Sequence, residues 1–273
     1  MKILVTGYKG FIGSKIYREF IEESEFFEEP HDKEFVVDGL EINDPFPTKK
    51  YDRIYHFGGK TLLRESGKDP FDYFEQNVNF TAKLLEKARK DDSAFIFPTS
   101  GSAGKTNNPY SVSKYMAEKW VKMYGEFYGL KGIIFRLYNV YGGQKGAIYN
   151  FLKAAYLNKA ITVHNYGANI RDYIHIYDII SEITSRTPQE TIYEVEVGTG
   201  KATSTTELIK TIEEITEHQF EIIYETSPVE EAIYSVSPVK KTIYIPLKKG
   251  IEIVIDEVIM REMKQNWEMK KNE

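Results

Sequence analysis

Three glycines follow the first apolar run of the chain. Ile3–Thr6 reads as a buried strand, and it leads straight into Gly7-Tyr-Lys-Gly10-Phe-Ile-Gly13. Phe11, Ile12, Ile16, Phe20 and Ile21 then mark one stripe of a helix. Glycines at this spacing let a chain turn sharply, bring its backbone against a pyrophosphate, and pack the helix closely on the strand. The helix start adds free N–H groups and a partial positive charge. No Gly-Lys-Ser/Thr follows, so this is not a Walker-type loop. The expectation is a dinucleotide-binding α/β sheet with Gly7, Gly10, Phe11, Ile12 and Gly13 at the cofactor; a plain glycine-rich turn is the alternative.

The remaining pattern agrees with a parallel sheet covered on both faces. Strands are expected over 35–37, 53–57, 94–97 and 132–137. Helices are expected from Pro70, with Phe74, Val78, Leu85 and Ala88 at helical spacing, and from Pro109 through Trp120 and Tyr128. After Tyr141-Gly-Gly143 the pieces shorten: a helix over 148–157, a hairpin-like stretch over 162–167, a helix after Ile176, a capped helix from Leu208 and a last helix over 251–263. The fold expected is a Rossmann-type, doubly wound parallel sheet over 1–142. A smaller C-terminal substrate-binding lobe over 143–273 would interleave with it.

Composition narrows the function. A net charge of −5 argues against a nucleic-acid partner, which needs clustered excess Lys and Arg. The absence of cysteine excludes disulfides and thiolate chemistry. The five histidines show no metal-ligand spacing, no apolar run approaches a membrane span, and the N-terminus lacks a signal-peptide core. A cytoplasmic enzyme with no metal and no membrane partner is expected.

Asp38, some two dozen residues after the glycines, is the candidate for the adenosine ribose of NAD, while Lys9 leaves NADP open. Tyr110-Ser-Val-Ser-Lys114 is the chemical centre. Positions i and i+4 share a helix face, and an ammonium beside a phenol favours the phenolate that a base needs. A nearby hydroxyl would hold the reacting substrate oxygen; Ser100 is the candidate and Thr99 the fallback. Tyr-x-x-x-Lys alone is common on solvated helices, so the pair needs its context.

That context is supplied by several segments in order. Asn108-Pro-Tyr-Ser-Val-Ser-Lys-Tyr-Met-Ala-Glu118 resembles the active-site helix of the extended short-chain dehydrogenase/reductases, the nucleotide-sugar epimerases and dehydratases, with UDP-glucose 4-epimerase-like members as the pattern. Tyr55-His-Phe-Gly-Gly59, Asn77-Val-Asn-Phe-Thr81, Phe95-Ile-Phe-Pro-Thr-Ser100, Glu41-Ile-Asn-Asp44, Arg136-Leu-Tyr-Asn-Val-Tyr-Gly142 and Ile170-Arg-Asp-Tyr-Ile-His175 are similar to further family elements. The resemblance implies that Ser100, Tyr110 and Lys114 are catalytic. It implies that Glu41, Ile42, Phe57, Gly58, Gly59, Asn77, Tyr110, Lys114 and Tyr138 lie at NAD, and that Ser100, Asn139 and Arg171 bind a nucleotide sugar. A homodimer through the Pro70 and Tyr110 helices is also implied.

Two departures shape the reading. Only nine residues separate Ser100 from Tyr110, too few to drape over a hexose as well as connect, so weak sugar discrimination is expected. No acid pair follows Ser100, which ranks a 4-epimerase of UDP- or dTDP-sugars above a dehydratase or reductase. A dinucleotide-sensing protein without turnover is the alternative from another class.

Overall fold

A computed structural model describes residues 1–25, 35–241 and 243–264. The chain forms two compact units, one of Met1–Leu137, Ile180–Glu196 and Pro228–Glu231, the other of Tyr138–Ile179, Val197–Ser227 and Ala232–Glu273.

The first unit is built on β1 (Lys2–Thr6), β2 (Val36–Leu40), β3 (Arg53–His56), β4 (Ala94–Ser100), β5 (Gly132–Leu137) and β6 (Ile192–Val197). They form one sheet in the order β6-β5-β4-β3-β1-β2. The pairs from β2 across to β5 are parallel. Buried on both faces, β1, β4 and β5 read as near-continuous apolar runs, as parallel strands do. Strand order reverses at β1, which has β2 on one side and β3 on the other. Open α/β sheets bind their ligands beyond the carboxyl ends of the strands at such a switch point. Turns and open chain, with no helix, connect Leu40 to Arg53, so β2 is the sheet's edge.

Among the described residues, α1 (Phe11–Glu25), α3 (Phe80–Asp91) and α4 (Pro109–Tyr128) pack on this sheet, and α2 (Pro70–Phe74) packs on α4. A single π turn at Glu75–Asn79 joins α2 to α3, a local widening often found at functional positions. Asn108 caps α4 by accepting the Ser111 N–H at 2.7 Å, Pro109 takes the first turn, and Gly129 ends the helix at φ +68°. Leu84, Leu85 and Ala88 of α3 and Ala117 and Val121 of α4 pack on Phe95, Phe97 and Ile134. That apolar seam fixes both helices against β4 and β5.

The second unit is built of short pairings. Asn139–Tyr141 runs parallel to Tyr173–His175, and Ile170–Arg171 lies between Thr203–Ser204 and Tyr234–Ser235. The hairpin expected over 162–167 is absent. Ile161–His164 pairs in parallel with the distant Ile222–Glu225. Asn165, Tyr166 and Gly167 all take positive φ, and this left-handed run turns the chain away from an antiparallel return. The helix Thr205–Thr216 opens on a Ser204/Glu207 capping box. The C-terminal helix starts at Leu247, behind Pro246, four residues before the expected position. Ile148, Leu152, Leu208, Ile212, Ile251 and Val254 are among the residues of this unit's core. Among the described residues no helix is long and apolar enough to cross a membrane.

Candidate active site

The glycine turn follows β1 directly. Gly7 has φ +65°, and a Cβ there would sit 2.6 Å from the Gly58 nitrogen. A Cβ on Gly13 would come within 2.2 Å of the Gly7 carbonyl oxygen. Both glycines are therefore required by the fold itself. Gly10 is different: its nearest obstacle would be the Gly7 oxygen at 3.0 Å, and it stands at the mouth of α1. The open side of Gly10, half-buried Phe11 and Ile12, and the start of α1 together fit a dinucleotide pyrophosphate.

The strand end of β3 supports this turn from beside it. His56 is fully buried, with Nδ1 2.6 Å from the Thr6 hydroxyl and Nε2 2.8 Å from the Thr81 hydroxyl. Thr81 donates its own proton to the Asn77 carbonyl, so its oxygen accepts from Nε2–H, and Nδ1 accepts from Thr6. Burial, with a smaller push from the Lys114 charge, draws the imidazole down to about 3. His56 thus serves the fold as a neutral bridge. Its stabilising contribution is complete above pH 6.5, where the unfolded imidazole is neutral too, and declines as pH falls toward 3. The slope is at most about 1.4 kcal/mol per pH unit. Thermal unfolding from pH 7 to 4 is expected to show this decline in the parent and a shallower one in His56→Gln. Equal slopes would contradict the bridge.

The next turn, Phe57-Gly58-Gly59, is held in turn by Asn77. A Cβ on Gly59 would meet the Asn77 oxygen at 2.4 Å, and that oxygen accepts the Lys60 N–H at 2.8 Å. The Asn77 amide donates to the Lys60 carbonyl and, at 2.9 Å, to Ser113 on α4. Asn77, in the π turn, therefore ties the turn after β3 to the helix of Tyr110.

Asp38, the sequence candidate for the adenosine ribose, lies on β2. β2 runs on to Leu40, so Asp38 lies mid-strand opposite Leu4, and its carboxylate is ion-paired with Lys49. The acid at the glycine turn is Glu41, the first residue past β2, whose Oε1 accepts the Lys9 N–H at 2.9 Å. Ile42 packs on the apolar core.

Ser100 ends β4, and its hydroxyl oxygen lies 2.9 Å from that of Ser102 and accepts the Ser102 N–H at 3.2 Å. Burial raises the Tyr110 phenol above its usual range, and the Ser100 side chain works against that rise. One turn on, burial draws the Lys114 ammonium down to about 8, with Nζ 5.5 Å from the Phe97 ring centre. The downward pull on Tyr110 thus comes from Ser100 in this structure. Thr99, the fallback, is buried on the opposite side of the strand from Ser100, with no hydrogen-bond partner for its hydroxyl among the described residues.

The short loop between Ser100 and Tyr110 folds back on α4. Ser111 Oγ donates to the Ser102 carbonyl at 2.6 Å, and its own carbonyl accepts the Gly104 N–H at 3.2 Å. The Asn108 amide donates to the Thr106 hydroxyl and the Glu230 carbonyl.

In the second unit, Tyr138 packs against Gly198, where a Cβ would meet its ring at 2.8 Å. Asn139 and Arg171 are brought close: the Asn139 N–H donates to the carbonyl of Asp172 at 2.9 Å. Arg171 Nη1 donates to the carbonyls of Ile170 and Ile233. Buried Asp172 accepts main-chain N–H groups from Thr199, Gly200 and Ser237.

The chain matches the NAD dependent epimerase/dehydratase family over residues 3–184. UDP-glucose 4-epimerase of Halalkalibacterium halodurans is 28% identical, across 80% of this chain and 81% of that protein. Its namesake from Rhizobium leguminosarum bv. trifolii is 26% identical across 81% and 84%. Bacillus cereus UDP-glucuronic acid 4-epimerase, solved with UDP-glucuronic acid and NAD, has the same fold at TM-score 0.81 and 21% identity, over 95% of this chain and 99% of that one. The six-stranded Rossmann sheet is common ground, and the family match extends from the glycine turn through the Tyr110 helix to Arg171. This chain is an enzyme of the NAD-dependent epimerase/dehydratase family, the nucleotide-sugar branch of the extended short-chain dehydrogenase/reductases.

Proposed function

We propose that the chain is a nucleotide-sugar 4-epimerase working through Ser100, Tyr110 and Lys114 on a UDP- or dTDP-sugar. The observation that carries this reading is the placing of Ser100 at the end of β4 and Tyr110 in the first turn of α4, with buried Lys114 one helical turn on. NAD would be held by Gly7, Gly10, Phe11, Ile12 and Gly13 at the pyrophosphate, by Glu41 and Ile42 on the adenosine side, and by Phe57, Gly58, Gly59 and Tyr138. When bound, it supplies a reversible acceptor for the sugar's C4 hydrogen and its electron pair. Tyr110 takes the proton of the 4-hydroxyl, Ser100 holds the same oxygen, and Lys114 binds the cofactor ribose. After the 4-keto sugar presents its other face, Tyr110 returns the proton, so the cycle balances with no net oxidation. Gly101 and Ser102, where a dehydratase would need acids, favour epimerisation. Asn139 and Arg171 would hold the diphosphate, the Arg fork suiting two phosphate oxygens. Exposed Phe71, Phe74, Tyr115, Trp120 and Phe127 on α2 and α4 favour a homodimer through those helices.

Incubation with UDP- and dTDP-sugars, read by mass and NMR, is expected to give C4-inverted product without net cofactor consumption. Loss of water, or stoichiometric cofactor turnover, would replace this reading with dehydratase or reductase. Because the loop after Ser100 is folded onto α4, sugars differing only at C2 or C4 are expected to bind within about tenfold of one another, or 1.4 kcal/mol. A hundredfold preference in titration would defeat the inference.

The cradle gives a further expectation. Gly10→Ala should keep the thermal midpoint near the parent's while weakening NAD at least about tenfold, since only the pyrophosphate approach is filled. Gly13→Ala should lose fold stability by about 2 kcal/mol or more, because its Cβ overlaps backbone. Equal effects of the two on NAD and on stability would contradict the division.

A further inference from the structure

Arg136 sits on β5 opposite Thr99 of β4, one residue before the strand ends. Its Nη2 donates to Glu118 Oε1 at 2.6 Å, and its Nη1 to the Ser100 carbonyl at 3.3 Å. Glu194 and Glu196 of β6 lie 3.4 and 3.3 Å from the guanidinium. Glu118 is only 2% exposed; Lys122 reaches the same Oε1 at 2.9 Å, and Oε2 has no hydrogen-bond partner among the described residues. On α4, Glu118 lies one turn past Lys114 and two past Tyr110, on the same face.

Around this ion pair the helix–sheet seam is apolar: Ala117, Val121, Phe97 and Ile134. A well-packed hydrophobic pair there would stabilise the fold as well or better. What the ion pair adds is direction. A guanidinium fork fixes distance and angle together, whereas apolar contacts tolerate small sliding and rotation of a helix. This fork joins the helix of Tyr110 and Lys114 to the strand end of Ser100.

We propose that Arg136, held by Glu118, is a positioning residue that keeps the Tyr110 hydroxyl in register with Ser100. The inference rests on the catalytic assignment above. It predicts that loosening the fork misplaces the two hydroxyls without emptying the cofactor site. Among the described residues, Tyr73 on α2 interacts electrostatically with Tyr110 and Lys114 lies one turn on along α4, and both stay in the variants below.

The test compares the parent with the double variant Glu118→Leu/Arg136→Met and with Arg136→Lys, each measured with and without Tyr110→Phe. The double variant is expected to melt at or above the parent's temperature and to bind NAD within about threefold, while kcat falls at least about tenfold with KM nearly unchanged. The Tyr110 phenol, read as the difference between ultraviolet pH titrations with and without Tyr110→Phe, should ionise at higher pH, because the Ser100 side chain that draws it down moves out of register. Arg136→Lys should show the same changes more mildly. A folded variant with parental kcat and an unmoved Tyr110 titration would overturn the proposal. If the double variant does not fold, Arg136→Lys decides by the same readings. If Tyr110→Phe alone leaves turnover intact, the catalytic assignment fails, and the titration still decides whether Arg136 governs the register of Ser100 and Tyr110.

Discussion

Tyr110→Phe is expected to lower turnover at least about a hundredfold, the usual scale for losing a positioned acid–base group. The fold and NAD affinity should stay close to the parent's. The ring volume is unchanged, and Ser100 keeps Ser102 as a partner at 2.9 Å, so no buried hydroxyl is orphaned. Removing the hydroxyl alone should cost the fold no more than about 1 kcal/mol. Burial holds the phenol above its ordinary range, which keeps the proton on Tyr110 at neutral pH before substrate and cofactor arrive. Turnover within a few fold of the parent would remove Tyr110 from the chemistry, whatever the binding data showed.

Lys114→Met should do two opposite things. Turnover should collapse by a similar factor, because the side chain proposed to hold the cofactor ribose is gone. Stability of the cofactor-free protein should rise. Burial lowers the Lys114 ammonium from 10.5 in the unfolded chain to about 8 in the fold, so at pH 7 the folded protein carries a poorly solvated charge. The linked cost is about 3 kcal/mol, complete below pH 8. Between pH 8 and 10.5 the unfolded chain binds a proton that the fold does not, so this group makes stability increase with pH across that window. Denaturant unfolding at pH 7 is expected to show Lys114→Met more stable by about 1–3 kcal/mol, with the gap closing toward pH 10. A variant less stable than the parent at pH 7 would show that Lys114 is well paired and belongs to the fold. A destabilising cation kept at a strand-end cluster is the signature of a functional site.

The parts of this architecture that were legible in the sequence are those whose chemistry needs fixed spacing within one element. Gly7, Gly10 and Gly13 must follow one strand, and Tyr110 and Lys114 must share one helical turn. The end of β2 was less legible: the strand runs on past Val37 to Leu40, because Leu40 pairs with Thr6 across the sheet. Period-2 patterning gives a strand's existence better than its last residue. The stretch after Ile161 looked like a hairpin because its partner, Ile222–Glu225, lies some sixty residues away and leaves no local trace. Arg136 and Glu118 each belong to a recognised motif, but their pairing appears only once β5 and α4 are adjacent. Asn77 was recognised by its motif, but its tie to Ser113 depends on the π turn and is visible only in three dimensions.

The central claim is that a proton and a hydrogen leave C4 of a nucleotide sugar and return to it. It is tested most directly with UDP- and dTDP-sugars carrying deuterium at C4, incubated with the enzyme and NAD and followed by NMR and mass. The account predicts C4-inverted product that keeps its deuterium, at a rate abolished by Tyr110→Phe. No C4-inverted product from any of these sugars, or inversion with deuterium lost to solvent, would contradict it.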